Sequence, residues 1–264
     1  MTAGWYRQAV WFMIATLAVL GLLSGCSGGF LQTPAPLPTS TPTQTITTTP
    51  TIIWFPLTLT PTIKIPTPMS SSTPEMHPGL DEIVISDTFL TEDNWQTRRT
   101  LAGNVSSGYG ELTIVVAQPK VTINSLRQGY FPNDYYVEMA AVPSLCRSED
   151  MYGLLLRVTS EQDYYRFSLN CAGQIRLDWF KGGQSIPIVN WMMSGQIQPG
   201  PIASPQLAVW VKGDEMRFFI DDVFQFKADQ LAVTEGSLGV FGRSAGDSVL
   251  TINYSDLQVW SLKD

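Results

Sequence analysis

From residue 82 to residue 262 the chain alternates apolar and polar side chains in short runs, each broken by Gly, Asn, Asp or Pro. Period-two alternation bounded by turn residues is the pattern of half-buried β-strands. The runs fall at 112–117, 135–142, 152–159, 164–170, 174–181, 206–212, 215–221, 237–241 and 250–262. No stretch sustains the period of an amphipathic helix. Strands at this spacing predict a single all-β domain, a sandwich or a barrel, over residues 80–264. Two hairpins are legible. Ser160, Glu161, Gln162 and Asp163 link one pair of strands, and Gly213 with Asp214 forms a two-residue turn of the Gly-X type in another.

Because strand side chains alternate faces, the pattern assigns each residue a side. Leu154, Leu156 and Val158 point inward with Tyr165, Phe167, Leu169, Ile175, Leu177 and Trp179. Arg157, Tyr164, Arg166, Ser168, Arg176 and Asp178 then share the opposite face. A four-residue loop pairs Thr159 with Tyr164 and sets Arg157 directly across from Arg166. Adjacent arginines repel unless a carboxylate or an anionic ligand neutralises them, and Asp178 on the next strand is the nearest acid. A register slip of one residue would turn Arg166 into the core, where unpaired arginine is almost never found. Across the Gly213–Asp214 turn, Trp210 faces Arg217 on the non-core side, a cation–π geometry.

The N-terminal third has a different composition. Arg7 precedes an apolar stretch at 9–23, shorter than the roughly 20 residues a bilayer span needs but suited to a signal h-region. It ends in Leu23, Ser24, Gly25 and Cys26, which resembles a bacterial lipobox with Cys26 as the lipidated residue. This predicts a signal peptide over 1–25 and an exported protein held to the cell membrane, facing the extracytoplasmic side, by a multi-chain lipid anchor. Residues 31–78 contain 14 Thr, 11 Pro and 4 Ser with only Lys64 and Glu75 charged, a composition that cannot bury enough apolar surface to offset its ordering entropy. Residues 26–79 are therefore read as a disordered tether reaching on the order of 150 Å.

Further along, Tyr152, Gly153, Leu154, Leu155, Leu156 and Arg157, followed by Tyr164, Tyr165, Arg166 and Phe167, resemble the concanavalin A-like lectin/glucanase superfamily. Trp191, the run from Leu207 to Gly213, the closing strand Asp256 to Trp260, and the opening Ser86, Asp87, Thr88, Phe89 and Trp95 extend the resemblance over the whole folded part. It implies an antiparallel jelly-roll sandwich, and its laminin-G-like and 3-keto-disaccharide hydrolase branches look similar at this level. Where relatives tend to have Asn-Gly after Ile220, this chain has Asp221 and Asp222.

In that superfamily sugars stack on the concave sheet between aromatic and polar groups. Arg157, Tyr164, Arg166, Asp178, Trp210 and Arg217 are accordingly the candidate groove for a glycan or anionic ligand. The alternatives are a solvated face laced with charge pairs, or a face covered by residues 185–205 with Trp191 as a lid. Retaining glucanases of this fold carry Glu-x-Asp-x-(x)-Glu on one strand, placing two carboxyl groups about 5–5.5 Å apart. No such spacing occurs: Glu138, Asp163, Asp178 and Asp221 lie singly in different segments. The one histidine, His77, lies at the tether's end, so neither a Ser-His-Asp triad nor a zinc site has its partners within the domain. Calcium sites occur in the superfamily and Asp221–Asp222 offers donors, though a solvated acidic turn is the simpler reading; no other cofactor is implied. The net charge of −7 argues against a nucleic-acid partner. The resulting expectation is a membrane-anchored, non-catalytic binding module, with a sugar-derivative hydrolase and a structural spacer as the alternatives.

Cys146 and Cys171 remain. Both follow strands at one end of the predicted sheet, in an exported domain where disulfides persist. A bond between them closes a loop of about 25 residues, for which the chain-entropy model gives roughly 3–3.5 kcal/mol. Two separate buried thiols are the alternative.

Overall fold

The computed structural model describes residues 75–91, 94–201, 203–246 and 248–263; the signal segment, Cys26 and the tether up to residue 74 lie outside them. Among the described residues the chain forms fifteen strands and no helix. In order they are β1 (Leu80–Asp87), β2 (Arg98–Arg99), β3 (Gly103–Gly108), β4 (Glu111–Val116), β5 (Thr122–Leu126), β6 (Tyr135–Leu145), β7 (Met151–Ser160) and β8 (Asp163–Asn170). Then come β9 (Gln174–Lys181), β10 (Gln184–Met193), β11 (Gln206–Lys212), β12 (Glu215–Ile220), β13 (Val223–Ala228), β14 (Ser237–Arg243) and β15 (Leu250–Leu262). Nine strands make one antiparallel sheet in the order β13-β12-β11-β6-β15-β4-β3-β2, with β1 also paired to β15. The other six make a second sheet in the order β10-β9-β8-β7-β14-β5.

The two sheets pack as a sandwich because alternation gives each an apolar inner face. Leu154, Leu156, Tyr165, Phe167, Leu169, Ile175 and Leu177 from the six-stranded sheet share one buried cluster with Val137, Met139, Leu207, Val209, Phe218, Ile252, Tyr254 and Val259 from the nine-stranded sheet. Phe167 meets Phe218 across the interface with ring centroids 4.8 Å apart. Burial of each such side chain is worth about 1.5–3 kcal/mol against exposure. The predicted disulfide joins Cys146 and Cys171, whose Cα atoms are 5.9 Å apart. Cys146 follows β6 and Cys171 follows β8, so the bond ties one sheet to the other rather than two strands of one sheet.

The β7–β8 hairpin departs from simple alternation. Its turn holds two residues, since Ser160 pairs with Asp163, and the surplus residues are taken up in β7 between Leu156 and Ser160. Arg157 lies in this bulge with φ 49°. Gly236 on the neighbouring segment allows the bulge, because a Cβ there would lie 2.5 Å from the Arg157 carbonyl carbon. A bulge re-aims the side chains that follow it. Arg157 therefore turns inward and Val158 outward, the reverse of the expected assignment, and the predicted Arg157–Arg166 ladder does not form.

One alternative had residues 185–205 covering the sheet face as a loop; residues 184–193 do not take that form. They instead extend the six-stranded sheet as the edge strand β10, pairing with β9. Pro187 is compatible with that place, because an edge strand does not need every amide for pairing.

Candidate functional site

On the outer face of the six-stranded sheet, β8 projects Tyr164, Arg166 and Ser168, and β9 projects Arg176, Asp178 and Phe180. The register sets Arg166 beside Asp178, Tyr164 beside Phe180 and Ser168 beside Arg176. Tyr164 and Phe180 stack with centroids 4.8 Å apart. The Arg166 guanidinium lies 4.4 Å from the Phe180 ring centroid and 5.2 Å from that of Phe241 on β14. Its Nη2 is 3.5 Å from Asp178 Oδ2. The other carboxylate oxygen accepts from Arg176 Nε at 2.8 Å and Nη2 at 2.5 Å, and from Ser185 Oγ at 3.0 Å. Asp178 is fully buried and Arg166 nearly so. Burial pushes the Arg166 guanidinium below its ordinary range, with Asp178 acting the other way. Burial likewise pushes the Tyr164 phenol up.

Tyr164, Arg166, Arg176, Phe180 and Ser185 line an open groove of about 360 Å³, closed on its far sides by Trp191 of β10, by Arg243 of β14, and by Thr122 and Asn124 of β5. Arg176 lies 5.8 Å from the Trp191 ring centroid. A smaller cleft of about 110 Å³ shares Thr122, Asn124 and Tyr164 with the groove and runs on past Ser160 and Glu161. On this face Arg166 Nε, Arg243 Nε, Ser168 Oγ and Asn124 Oδ1 are buried with no hydrogen-bond partner among the described residues. Each such atom costs about 1–3 kcal/mol when left unpaired. No carboxylate lines the groove among the described residues; Asp178 lies fully buried beside Arg166 and Arg176.

The six residues that the sequence offered as one groove occupy three places. Tyr164 and Arg166 line the groove, with Asp178 fully buried beside Arg166. Arg157 is fully buried between the sheets, donating from Nη1 to Val233 O at 2.8 Å and from Nη2 to Gly213 O at 2.5 Å. Burial lowers its pKa, opposed by charge at Tyr135, Asp134, Tyr165 and Asp214. It ties the β11–β12 turn to the six-stranded sheet and reaches no groove.

Trp210 and Arg217 form the predicted pair, with the guanidinium 4.4 Å from the indole centroid, but on the outer face of the nine-stranded sheet. There they hold the chain's own backbone: Trp210 Nε1 donates to Pro78 O at 2.9 Å and Arg217 Nη1 to Met76 O at 2.9 Å. Between those anchors His77 packs on Tyr136 and Phe219, its Nε2 3.4 Å from Asp222 Oδ1. Trp210 is correspondingly buried. Both acids of the turn considered for calcium are engaged by the protein itself, Asp222 by His77 and Asp221 by the Gln206 amide at 2.8 Å. Among the described residues no three His, Cys, Asp or Glu side chains converge in a metal-binding cluster.

Arg243, Asn124 and Ser185 were missed by sequence reasoning. Arg243 and Asn124 lie on strands remote in sequence from β8 and β9, and alternation alone does not say that β14 and β5 complete this sheet. Arg176 was placed on the right face without a role, and Trp191 entered only as a lid in one alternative.

No protein-family model matches the sequence, and no curated protein does. Solved structures do match its fold. A Bacillus subtilis protein with a galectin-like fold aligns over 70% of this chain and 99% of its own, with a TM-score of 0.55 at 10% identity. The catalytic domain of an endo-1,3-β-glucanase (laminarinase) from Thermotoga petrophila aligns over 70% and 100%, with a TM-score of 0.51 at 11% identity. A Bacillus licheniformis β-glucanase aligns over 68% and 98%, with a TM-score of 0.51 at 12% identity. The domain has the concanavalin A-like jelly-roll fold, the fold of these glucan-hydrolysing and galectin-like proteins.

Proposed function

We propose that the domain is a non-catalytic glycan-binding module that binds its ligand in the groove on the six-stranded sheet. The observation that carries this reading is the open groove itself, lined by the polar and aromatic side chains of Asn124, Tyr164, Arg166, Arg176, Trp191 and Arg243. A polyhydroxyl ligand supplies both donors and acceptors to such a lining. Trp191 at the rim offers a ring face for stacking against a sugar. The adjoining cleft makes room for more than one residue of an oligosaccharide. Two of the fold neighbours act on glucans, which fits a polysaccharide ligand.

Hydrolysis by the two-carboxylate route requires a second acid about 5–9.5 Å from the first. Among the described residues no carboxylate lines the groove, and the buried Asp178 is already neutralised by two arginines. The binding reading is favoured over the hydrolase for that reason. In the same proposal, Cys26 carries the lipid, residues 1–25 are the removed signal peptide, and the tether presents the domain away from the membrane.

A polysaccharide panel against the full chain in detergent, read by titration calorimetry, tests the function. Binding that weakens about tenfold in Trp191→Ala supports it, and failure to bind any polysaccharide overturns it. For the anchor, Cys26→Ser is expected to release the protein from the membrane fraction; unchanged fractionation overturns lipidation at that residue.

A further inference from the structure

Granted that the groove takes a glycan, its charge selects which kind. Three guanidinium groups, those of Arg166, Arg176 and Arg243, line it, and among the described residues no carboxylate does; the fully buried Asp178 pairs with the first two. This local excess of positive charge sits in a chain whose net charge is −7, so it is not a reflection of overall composition. Asp178 is already saturated on one oxygen by Arg176 and Ser185, and its contact with Arg166 is long, at 3.5 Å. Arg243 has only a 3.5 Å contact to Thr122 Oγ1, and both Arg166 and Arg243 keep a buried, unpartnered Nε. Behind burial and Asp178, the Arg243 charge is itself felt at Arg166, where it helps to hold the guanidinium pKa down. Like charges gathered on one face are unfavourable until an anion joins them, and the guanidinium fork matches carboxylate and sulfate geometry.

We propose that the ligand is an acidic glycan, its anionic group met by the guanidinium groups of Arg166 and Arg243. Oligogalacturonate, the same oligomer with its carboxyl groups reduced to alcohols, dextran sulfate and neutral laminarin are titrated into the full chain and into two variants. Arg243→Gln removes a charge in the groove; Lys227→Gln removes one on β13, in the other sheet. Oligogalacturonate or dextran sulfate is expected to bind at least tenfold more tightly than the neutral probes. That preference is expected to weaken with salt, to be mostly lost in Arg243→Gln, and to survive in Lys227→Gln. Preference for oligogalacturonate identifies a carboxylate glycan, and preference for dextran sulfate a sulfated one. Equal binding of charged and neutral probes, or equal losses in the two variants, overturns the acidic specificity and leaves glycan binding standing. Failure of every probe and of the wider panel overturns both. Unchanged melting of Arg243→Gln shows that any loss is one of binding and not of fold.

Discussion

Asp178 faces Arg166 across the β8–β9 pair with its side chain fully buried, and Arg176 clasps the oxygen that Arg166 leaves free. One buried carboxylate thus holds two guanidinium groups on the sheet surface. Breaking a buried ion pair by removing one partner leaves the other charge uncompensated, which costs about 3–5 kcal/mol. Asp178→Asn is expected to lower stability by about 3 kcal/mol on that ground. Urea denaturation checks it; an unchanged midpoint would mean that solvent, not Asp178, compensates the arginines.

Arg157 is expected to contribute to stability and not to recognition. Its guanidinium caps two carbonyls, Val233 O and Gly213 O, one of them in the turn of the opposite sheet. In Arg157→Met those acceptors lose their donor, for an expected cost of about 2 kcal/mol. Glycan affinity is expected to stay within twofold of wild type, whereas Arg166→Leu is expected to abolish it. Calorimetric titration of the two variants side by side separates the roles; equal losses of affinity would place Arg157 in the site.

The sandwich and much of the groove could be read from the sequence because they rest on local pattern. Alternation in β8 and β9 correctly put Tyr165, Phe167, Ile175 and Leu177 inside and left Arg166 and Asp178 together outside. The Gly213–Asp214 turn set Trp210 opposite Arg217. What alternation cannot register is an inserted residue. The Arg157 bulge depends on Gly236, nearly eighty positions away, having no Cβ to collide with it. Nor does alternation say which strands share a sheet. Trp210 and Arg217 were expected beside Arg166, yet β11 pairs with β6, and β12 with β11, in the other layer.

The anchoring of residues 76–78 is separable from the core. It rests on the Trp210 bond to Pro78 O, the Arg217 bond to Met76 O, and the packing of His77. Each hydrogen bond is worth about 0.5–1.5 kcal/mol. Trp210→Phe combined with Arg217→Met is expected to raise hydrogen exchange at the amides of residues 76–79 at least tenfold. The amides read are those of Met76, His77 and Gly79, Pro78 having none, and exchange in β8 and β9 is expected to stay unchanged. Equal acceleration throughout would show that this contact is part of the global fold.

Alkaline pH offers a probe of the sheet-to-sheet contact itself. Tyr254 on β15 is fully buried; its hydroxyl donates to Phe241 O at 2.8 Å and accepts from the Gly153 amide at 2.9 Å, both in the opposite sheet. Burial pushes its phenol well above the ordinary tyrosine value, and does the same at Tyr135 and Tyr152. A raised folded-state pKa means that the native protein keeps a proton that the unfolded chain gives up near pH 10. These tyrosines therefore contribute stability that is fully present below about pH 10 and lost as pH rises beyond it, at up to about 1.4 kcal/mol per pH unit for each. Urea midpoints are expected to be insensitive to these groups from pH 7 to 9 and to fall steeply above pH 10. Tyrosinate absorbance from the three buried rings is expected to rise only with unfolding. Tyr254→Phe is expected to cost about 1–3 kcal/mol at neutral pH, since the Gly153 amide loses its acceptor. It is also expected to reduce the alkaline slope by about one tyrosine's share. A variant that loses neutral stability but keeps the full slope would show that Tyr254 ionises in the folded protein, and that the hydroxyl between the sheets is reached by water.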